Sequence, residues 1–439
     1  MRPLKHLLLV SLLPSLSAQA DPIPQPSPLP SPFDQQQQSQ QHRISHDDHR
    51  KPRPGGISNR LFATLERTAR LVDITYCVGT TGISPPFSCV SRCKDFPTLR
   101  LVRTWNTGVL LSDSCGYIAI DSGTGAGTGG TNDGDKGAGG ENNNSNRPPG
   151  EEGQQEIVVA FRGTYSITNT IVDLSTVPQE YVPYPAPPEG GAGGGGKCEN
   201  CTVHMGFMAS WKNARAVVIP ALHAAREKYP GYRVHLVGHS LGGAVAALAA
   251  LELKLGLGWR DVVVTTFGEP KVGNDKLAEY IDGAFGLADG AREDLPYRRV
   301  THAGDPVPLL PLSEWGYASH AGEVYIEKSD LPPGPDDLRL CRGANDPECM
   351  GGAETSDWLS RVLGVLGRWK IQEEQVETPA LRRGWFPARL KLWQLLFAHR
   401  DYFWRLGLCL PGGDPVDWGR EKYNLTSRED SDVPEIRDL

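Results

Sequence analysis

The stretch that decides the fold is Tyr232-Arg-Val-His-Leu-Val-Gly-His-Ser-Leu-Gly-Gly-Ala-Val-Ala-Ala-Leu-Ala-Ala-Leu251. Residues 234–237 form a short apolar run with β-branched residues, which predicts a buried parallel strand. Residues 244–255 are rich in Ala and Leu and contain neither Gly nor Pro, which favours a helix. The sequence therefore predicts a strand that turns into a helix within a few residues.

Between this strand and helix lies Gly238-His-Ser-Leu-Gly242, a G-x-S-x-G pattern. So sharp a turn strains the backbone of its central residue, and the flanking glycines remove Cβ atoms that would clash. Ser240 is expected at the tip of this elbow, beside the free N–H groups of the helix start. Because Gly supplies 50 of 439 residues, the pattern alone also fits a structural turn. The strand before it and the small-residue helix after it favour a nucleophile.

The composition restricts the class of partner. The formal net charge is −7 and 39% of residues are hydrophobic, which argues against nucleic acid as a partner. No apolar run is long enough to span a bilayer. His, Cys and Asp do not cluster at ligand spacing, so neither a metal nor a cofactor is expected.

The two ends of the chain differ in composition from the middle. Arg2 and Lys5 precede an apolar run closed by Ala18-Gln-Ala20, which predicts a secretory signal peptide over 1–20 and an extracellular protein. Residues 21–56 are a low-complexity pro-segment or spacer, and 411–439 form a polar tail. One catalytic domain is expected over 57–410, with inserts at 122–155, 184–197 and 351–398.

Within this domain, strand-like runs alternate with helical patterns. Helices are predicted over 58–77 and from 207 to about 229. Strands are predicted at 101–105, 107–111, 116–121, 157–161, 261–267, 297–301 and 324–326. This alternation indicates an α/β fold with a central mixed, mostly parallel sheet flanked by helices.

Residues 165–174 have a pattern of their own. Ile167, Ile171 and Leu174 recur at helical spacing with polar residues on the opposite side. A short amphipathic helix beside a catalytic serine suggests a lid, and an ordinary surface helix packed on the core is the alternative.

A serine nucleophile needs a histidine base and an acid that orients it, and in this architecture the chain order is serine, acid, histidine. Asp305 directly follows a predicted strand, at the sheet edge from which Ser240 emerges. The alternatives Glu269, Asp275 and Asp282 close no strand as cleanly.

Two histidines lie beyond Asp305 in the chain. His399 lies near the domain's end between aromatic residues that could exclude water, and it is the favoured base. His320 precedes a strand, where a structural hydrogen bond is the simpler role.

Six motifs in order resemble those of the fungal class 3 triacylglycerol lipases: Phe161-Arg-Gly-Thr164, Val203-His-Met-Gly-Phe207, Gly238-His-Ser-Leu-Gly-Gly243, Thr266-Phe-Gly-Glu-Pro-Lys-Val-Gly-Asn274, Val300-Thr-His-Ala-Gly-Asp-Pro-Val-Pro308 and His399-Arg-Asp-Tyr-Phe403. The resemblance implies an α/β-hydrolase fold with a lid helix. It also implies a secreted serine carboxylester hydrolase that cleaves acylglycerol esters at a lipid–water interface through an acyl-enzyme on Ser240.

The resemblance also assigns roles to residues of this chain. Ser240, Asp305 and His399 would be the catalytic triad, and the N–H groups of Thr164 and Leu241 would form the oxyanion hole. The lid would lie at 165–174, with Ile167, Asn169, Thr170, Ile171, Asp173 and Leu174. Thr170 occupies a position where these lipases often carry tryptophan, so the way the lid grips lipid is left open.

Nine cysteines in a secreted chain favour disulfides with one thiol left over. The short loop Cys198-Glu-Asn-Cys201 permits a local Cys198–Cys201 bond, which is favoured over a redox site. The resemblance further pairs Cys77–Cys409, Cys89–Cys93 and Cys341–Cys349, and it leaves Cys115 as the odd thiol.

The insert at 351–398 separates the acid from the base. Its Trp358, Val362, Leu366 and Trp369 form a helical stripe near basic residues. The stripe fits a helix that borders the acyl groove and docks on lipid, and it fits equally a cap packed over the core.

The resemblance leaves several properties open. Phospholipase A1 and feruloyl-type esterase are alternative activities, and a non-catalytic lipid-binding protein is a remote one. The substrate is expected at an interface, with room for peripheral contact to a membrane or lipid-droplet surface, and the oligomeric state is unknown. Sequons predict glycosylation at Asn143, Asn200 and Asn424.

Overall fold

The strands that the structure describes form two sheets. The computed structural model describes residues 56–108, 113–123, 155–164, 174, 181–183, 198–287, 290–352 and 397–418, all within one compact unit. Their strands are β1 Leu99–Asn106, β2 Cys115–Asp121, β3 Glu156–Phe161, β4 Tyr181–Pro183, β5 Thr202–His204, β6 Arg233–His239, β7 Val262–Phe267, β8 Gly273–Asn274, β9 Tyr297–His302, β10 Tyr317–Ala318, β11 Glu323–Ile326 and β12 Leu338–Leu340.

The larger sheet has the order β1-β2-β3-β6-β7-β9-β11-β12. The five strands from β3 to β11 are mutually parallel, and β1, β2 and β12 pair antiparallel at its two edges. Phe161 lies opposite Gly238, and His239 lies opposite Phe267. The loops after β3, β6, β7 and β9 therefore leave the same edge. The predicted mixed, mostly parallel sheet is confirmed.

The sheet separates two hydrophobic cores. Along β3, Ile157 and Val159 face one core while Val158 and Ala160 face the other, and all four are fully buried. A strand buried on both faces needs apolar residues at consecutive positions rather than alternating ones. This requirement explains why 157–161 is a continuous apolar run.

Helices cover both faces of the sheet. They are α1 Asn59–Ile74, α2 Met205–Lys228, α3 Leu241–Leu251 and α4 Asp275–Phe285. The Ser58 hydroxyl accepts from the Leu61 N–H at the start of α1. The predicted extension of α3 to residue 255 is a π-helical turn over Glu252–Gly256. Such a turn continues the helix with a wider hydrogen-bonding pattern.

The predicted strand at 107–111 is not present in its described part. Thr107 closes a turn instead, since its N–H donates to the Ser114 carbonyl and its hydroxyl accepts from the Ser114 N–H. Residues 109–112 lie outside the described residues.

Four disulfides join described residues: Cys77–Cys409, Cys89–Cys93, Cys198–Cys201 and Cys341–Cys349. Cys115 is a free thiol, and its burial raises its pKa to about 11. A thiol with so high a pKa stays protonated and unreactive at neutral pH.

Ordered structure continues past the tail boundary expected at 410. Asp417, in the 3-10 turn Pro415–Asp417, is buried and pairs with Arg92. Arg92 also pairs with Asp73 of α1 at 2.9 Å, and its guanidinium lies 4.3 Å from the Trp404 ring centroid. The polar composition predicts a tail from residue 411, but Asp417 is a buried partner of Arg92.

His204 forms the amino-terminal cap of α2. Its Nδ1 accepts from the N–H groups of Gly206 at 3.0 Å and Phe207 at 3.3 Å, and burial lowers its pKa to about 4. The folded state therefore keeps a neutral ring where the unfolded chain, with a pKa near 6.5, binds a proton. Stability from this residue is present above pH 6.5 and is lost as the pH falls toward 4.

Replacing His204 by Asn tests this coupling, since Asn caps helices without titrating. When the pH is lowered from 8 to 5, we expect the unfolding free energy of wild type to fall by about 2 kcal/mol relative to that of His204→Asn. Urea unfolding at both pH values, with disulfides intact, measures the shift. A difference that does not change with pH would contradict the prediction.

No helix among the described residues is long and apolar enough to cross a membrane. Within the same ranges, no group of three or more His, Cys, Asp or Glu is arranged to hold a metal ion. Several expected features lie outside the described residues: the signal peptide, the pro-segment, most of the lid, most of the three inserts including Trp358 and Trp369, and the sequons at Asn143 and Asn424.

Candidate active site

Ser240 is the single residue between β6 and α3. Its backbone has φ 58° and ψ −132°, a conformation that residues other than glycine rarely adopt. A Cβ at Gly238 would lie 2.3 Å from the Gly242 carbonyl oxygen, and one at Gly242 would lie 2.5 Å from the Phe161 carbonyl oxygen. Both glycines are therefore required for the turn, and the strained residue it holds is the serine.

Asp305 and His399 meet although 94 residues separate them in the chain. The His399 Nδ1 lies 3.0 Å from both carboxylate oxygens of Asp305, and both side chains are fully buried. Asp305 comes three residues after β9 ends, at the same sheet edge as the elbow. A carboxylate in this place holds the proton of the imidazole on Nδ1, which leaves Nε2 able to accept one.

The Asp305 carboxylate has two further donors. The Tyr402 hydroxyl donates to Oδ2 at 2.6 Å, and the Val307 N–H donates to Oδ1 at 2.9 Å. Burial and the neighbouring carboxylate raise the pKa of Tyr402 well above its usual value, so this hydroxyl remains a donor. A Cβ at Gly268 would lie within 3.0 Å of Tyr402, His399 and Asp305, so only glycine leaves room for the cluster.

Tyr402→Phe should lower kcat about tenfold or more, since it removes a hydrogen bond to a charged group and keeps the ring. The ring packs edge-on against Phe267, with 5.7 Å between centroids. Kinetics on a dissolved short-chain ester, with Tm measured in parallel, test the expectation.

Tyr117→Phe is a matched control for this change. The buried Tyr117 hydroxyl donates to the Leu71 carbonyl at 2.8 Å, away from Asp305. A comparable drop in kcat in both variants would attribute the loss to a general effect of removing a buried hydroxyl.

A chain of hydrogen bonds links the elbow to the histidine segment. The Tyr76 hydroxyl donates to His239 Nδ1 at 2.5 Å, and His239 Nε2 donates to the His399 carbonyl at 2.9 Å. Because the His399 carbonyl can only accept, the proton of the neutral His239 ring lies on Nε2 and Nδ1 is the acceptor. Burial lowers the pKa of His239 well below its usual value, with a smaller contribution from His399, so the ring stays neutral.

The two atoms expected to react face no partner among the described residues. Ser240 Oγ and His399 Nε2 are both buried, and neither has a hydrogen bond. The ring of His239, the residue before Ser240, stacks on the His399 ring with 4.7 Å between centroids. The imidazole therefore lies against the elbow, and serine–histidine hydrogen bonds in ligand-free sites are often long before substrate binds.

The expected oxyanion donors also border Ser240. Leu241 is the first residue of α3, so its N–H has no acceptor within the helix. Thr164 follows the end of β3 by three residues, and a Cβ on the preceding Gly163 would lie 2.9 Å from Ser240 Cβ. The loop after β3 therefore runs directly beside the elbow.

Residues 158–315 match the family model described as Lipase (class 3). A Gibberella zeae protein named secreted mono- and diacylglycerol lipase 2 is 58% identical over 379 residues, which cover 85% of this chain and 88% of the relative. The chain belongs to the class 3 lipases. This confirms the family that its motifs resemble.

Further comparisons agree with this family. Lipase A of Sodiomyces alcalophilus is 54% identical over 375 residues, covering 84% of this lipase and 86% of the relative. The solved structure of the Yarrowia lipolytica LIP2 lipase superposes with a TM-score of 0.59 at 26% identity, covering 82% of this chain and 99% of the other. The expected α/β-hydrolase fold is confirmed.

The residues that were alternatives to Asp305 and His399 make other contacts in this lipase. Asp275 is the exposed first residue of α4, and Asp282 accepts from the Ala321 N–H. Glu269 accepts from Thr266, Tyr297 and His320 in a buried cluster. The structure thus gives His320 structural hydrogen bonds, to Glu269 and to the Ala321 carbonyl.

Of the lid residues, Leu174 is described, and its side chain is buried in the same hydrophobic core as Ile157 and Val159. Ile167, Asn169, Thr170, Ile171 and Asp173 lie outside the described residues. Asn200 is exposed next to the Cys198–Cys201 bond, so its sequon is accessible in the fold.

The side chains that hold the expected triad of this lipase in place are not predicted from the sequence. Tyr402 lies within the His399-Arg-Asp-Tyr-Phe403 motif but received no role, although its spacing from His399 was visible. Tyr76 and His239 received none either. Tyr76 lies 163 residues from its partner, and nothing in the sequence near it reports that contact.

Proposed function

We propose that this lipase is a secreted serine carboxylester hydrolase that cleaves mono- and diacylglycerols at a lipid–water interface through an acyl-enzyme on Ser240. The observation that carries the proposal is the buried Asp305–His399 pair, at 3.0 Å, against the elbow that presents Ser240. Two similar relatives are named as lipases, and the name of the Gibberella zeae protein, a secreted mono- and diacylglycerol lipase, supports the acylglycerol substrate class.

In the proposed mechanism, His399 Nε2 takes the proton of Ser240 as Oγ attacks the ester carbonyl. The N–H groups of Thr164 and Leu241 donate to the oxyanion that forms, and Asp305 stabilises the imidazolium. His399 then gives its proton to the leaving alcohol, and the acyl-enzyme remains. Water, deprotonated by the same histidine, releases the fatty acid and restores the serine.

A substrate panel tests this function. Monoacylglycerol, diacylglycerol, triacylglycerol, phosphatidylcholine and a feruloyl ester are compared as dispersions with the same enzyme preparation. We expect kcat/KM to be highest on acylglycerols and the rate to rise once the substrate forms an interface. Higher turnover of phosphatidylcholine or of the feruloyl ester would replace the proposal by phospholipase A1 or feruloyl-type esterase. Absence of turnover on every ester would favour a non-catalytic lipid-binding protein.

A further inference from the structure

A pocket of about 260 Å³ lies beside Thr164, the expected oxyanion donor, and Arg400 forms part of its wall. It is lined by Tyr76, Thr80, Thr81, Thr164, Arg400, Gly407 and Cys409. Pockets that bury a drug-sized ligand measure roughly 300–1,000 Å³. This one, called the Arg400 pocket below, suits a small group rather than a long acyl chain.

The wall of the pocket holds one cation in a fixed orientation. Arg400 Nε donates to the Leu406 carbonyl at 2.8 Å, and Nη2 donates to the Gly407 carbonyl at 2.5 Å. A Cβ at Gly407 would lie 2.5 Å from Nη2, so a side chain at position 407 would clash with the guanidinium. Nη1 makes no hydrogen bond to another described residue and remains as a charged donor.

Hydroxyl groups supply acceptors in the same pocket. Thr80 Oγ1 already donates to the carbonyls of Tyr76 and Cys77, so its lone pairs are the groups left to bond a ligand. Thr81 Oγ1 lies 3.2 Å from Cys409 Sγ at an exposed position. A ligand hydroxyl could accept a hydrogen bond from the Arg400 guanidinium and donate one to a threonine hydroxyl, because a hydroxyl both accepts and donates.

We propose that the Arg400 pocket binds the free hydroxyls of the leaving alcohol, and so favours partial glycerides over esters whose alcohol carries no hydroxyl. This inference rests on the proposed function. A Cβ at Gly163 would lie 2.8 Å from the Tyr76 hydroxyl and 2.9 Å from Ser240 Cβ, so the pocket wall formed by Tyr76 and Thr164 borders the serine from which the alcohol departs. Among the described residues that line the pocket, Arg400 alone is charged. Its Nε and Nη2 are already bound to backbone carbonyls, so it does not offer the free two-pronged donor that favours phosphate.

The test compares three esters of octanoic acid, each below the concentration at which it forms an interface. They are monooctanoylglycerol, its analogue with both free hydroxyls methylated, and propyl octanoate. The full chain is assayed as wild type, as Arg400→Met, which keeps length without charge, and as Thr81→Val, which keeps shape without the hydroxyl. The ratio of kcat/KM on monooctanoylglycerol to that on propyl octanoate cancels a general loss of active enzyme.

We expect wild type to prefer monooctanoylglycerol over both other esters. Arg400→Met should lower the ratio about tenfold or more, as for loss of a hydrogen bond to a charged group, and Thr81→Val should lower it about threefold. If Arg400→Met fails to fold, the ratio in Thr81→Val decides alone. An unchanged ratio in the variants that fold would overturn the inference.

Two outcomes separate this inference from others. A wild-type enzyme inactive on all three esters would defeat the proposed function itself, whereas activity with an unchanged ratio defeats only the role of the pocket. A fourth assay uses short-chain phosphatidylcholine. If Arg400→Met loses turnover of that lipid selectively and keeps the monooctanoylglycerol ratio, the pocket binds phosphate and the hydroxyl assignment is wrong.

Discussion

Ser240→Ala is expected to lower kcat for ester hydrolysis by about 10⁵- to 10⁶-fold, the loss seen when a serine nucleophile that acts as a unit with its base is removed. The variant keeps the elbow, because the strained turn depends on Gly238 and Gly242 and not on the hydroxyl. A chromogenic ester assay measures the rate. Labelling with a fluorescent organophosphonate, which reacts with activated serines, should disappear in the variant.

Ser122→Ala provides the matched control. Ser122 is exposed and lies at the end of β2, away from the elbow, and its hydroxyl makes one long contact of 3.4 Å to the Thr98 carbonyl. This variant should keep full rate and full labelling. Persistent labelling of Ser240→Ala at another serine would show that the nucleophile lies elsewhere.

Asp305→Asn is expected to lower kcat by about 10⁴-fold. An Asn amide placed at 305 can donate to His399 Nδ1, which would leave the ring proton on Nε2. A protonated Nε2 cannot accept the Ser240 proton, so the base is lost although the imidazole remains. Single-turnover kinetics on a chromogenic ester should show acylation, and not only deacylation, slowed.

Asp275→Asn is the control for this substitution, since Asp275 was an alternative acid from the sequence and has an exposed side chain. Its rate should stay within about twofold of wild type, as is usual for surface changes. A large loss in Asp275→Asn together with a small one in Asp305→Asn would reverse the assignment.

The sequence could predict the parts of the site that are encoded locally. The G-x-S-x-G pattern, its apolar strand and its small-residue helix lie within twenty consecutive residues, and the backbone requirements of the turn are visible in the two glycines. Asp305 could be placed because it follows a strand, and parallel strands bring their carboxyl ends to one edge.

What escaped prediction depends on contacts between distant segments. Tyr402 donates to a carboxylate 97 residues earlier, and His239 joins Tyr76 to the His399 carbonyl. Polar side chains such as these carry no signal in hydrophobic periodicity. The same reason explains why the composition places Asp417 in a polar tail, because a buried aspartate looks like a surface residue until its arginine partner is known.

The Cys77–Cys409 bond joins two segments separated by 332 positions, and both of them border the Arg400 pocket. Closing so long a loop removes roughly 6 kcal/mol of chain entropy from the unfolded state, in the simplest account. The disulfide that fixes the segment after His399 therefore forms only in an oxidising compartment. We expect the chain kept under reducing conditions to be less stable and less active than the oxidised protein.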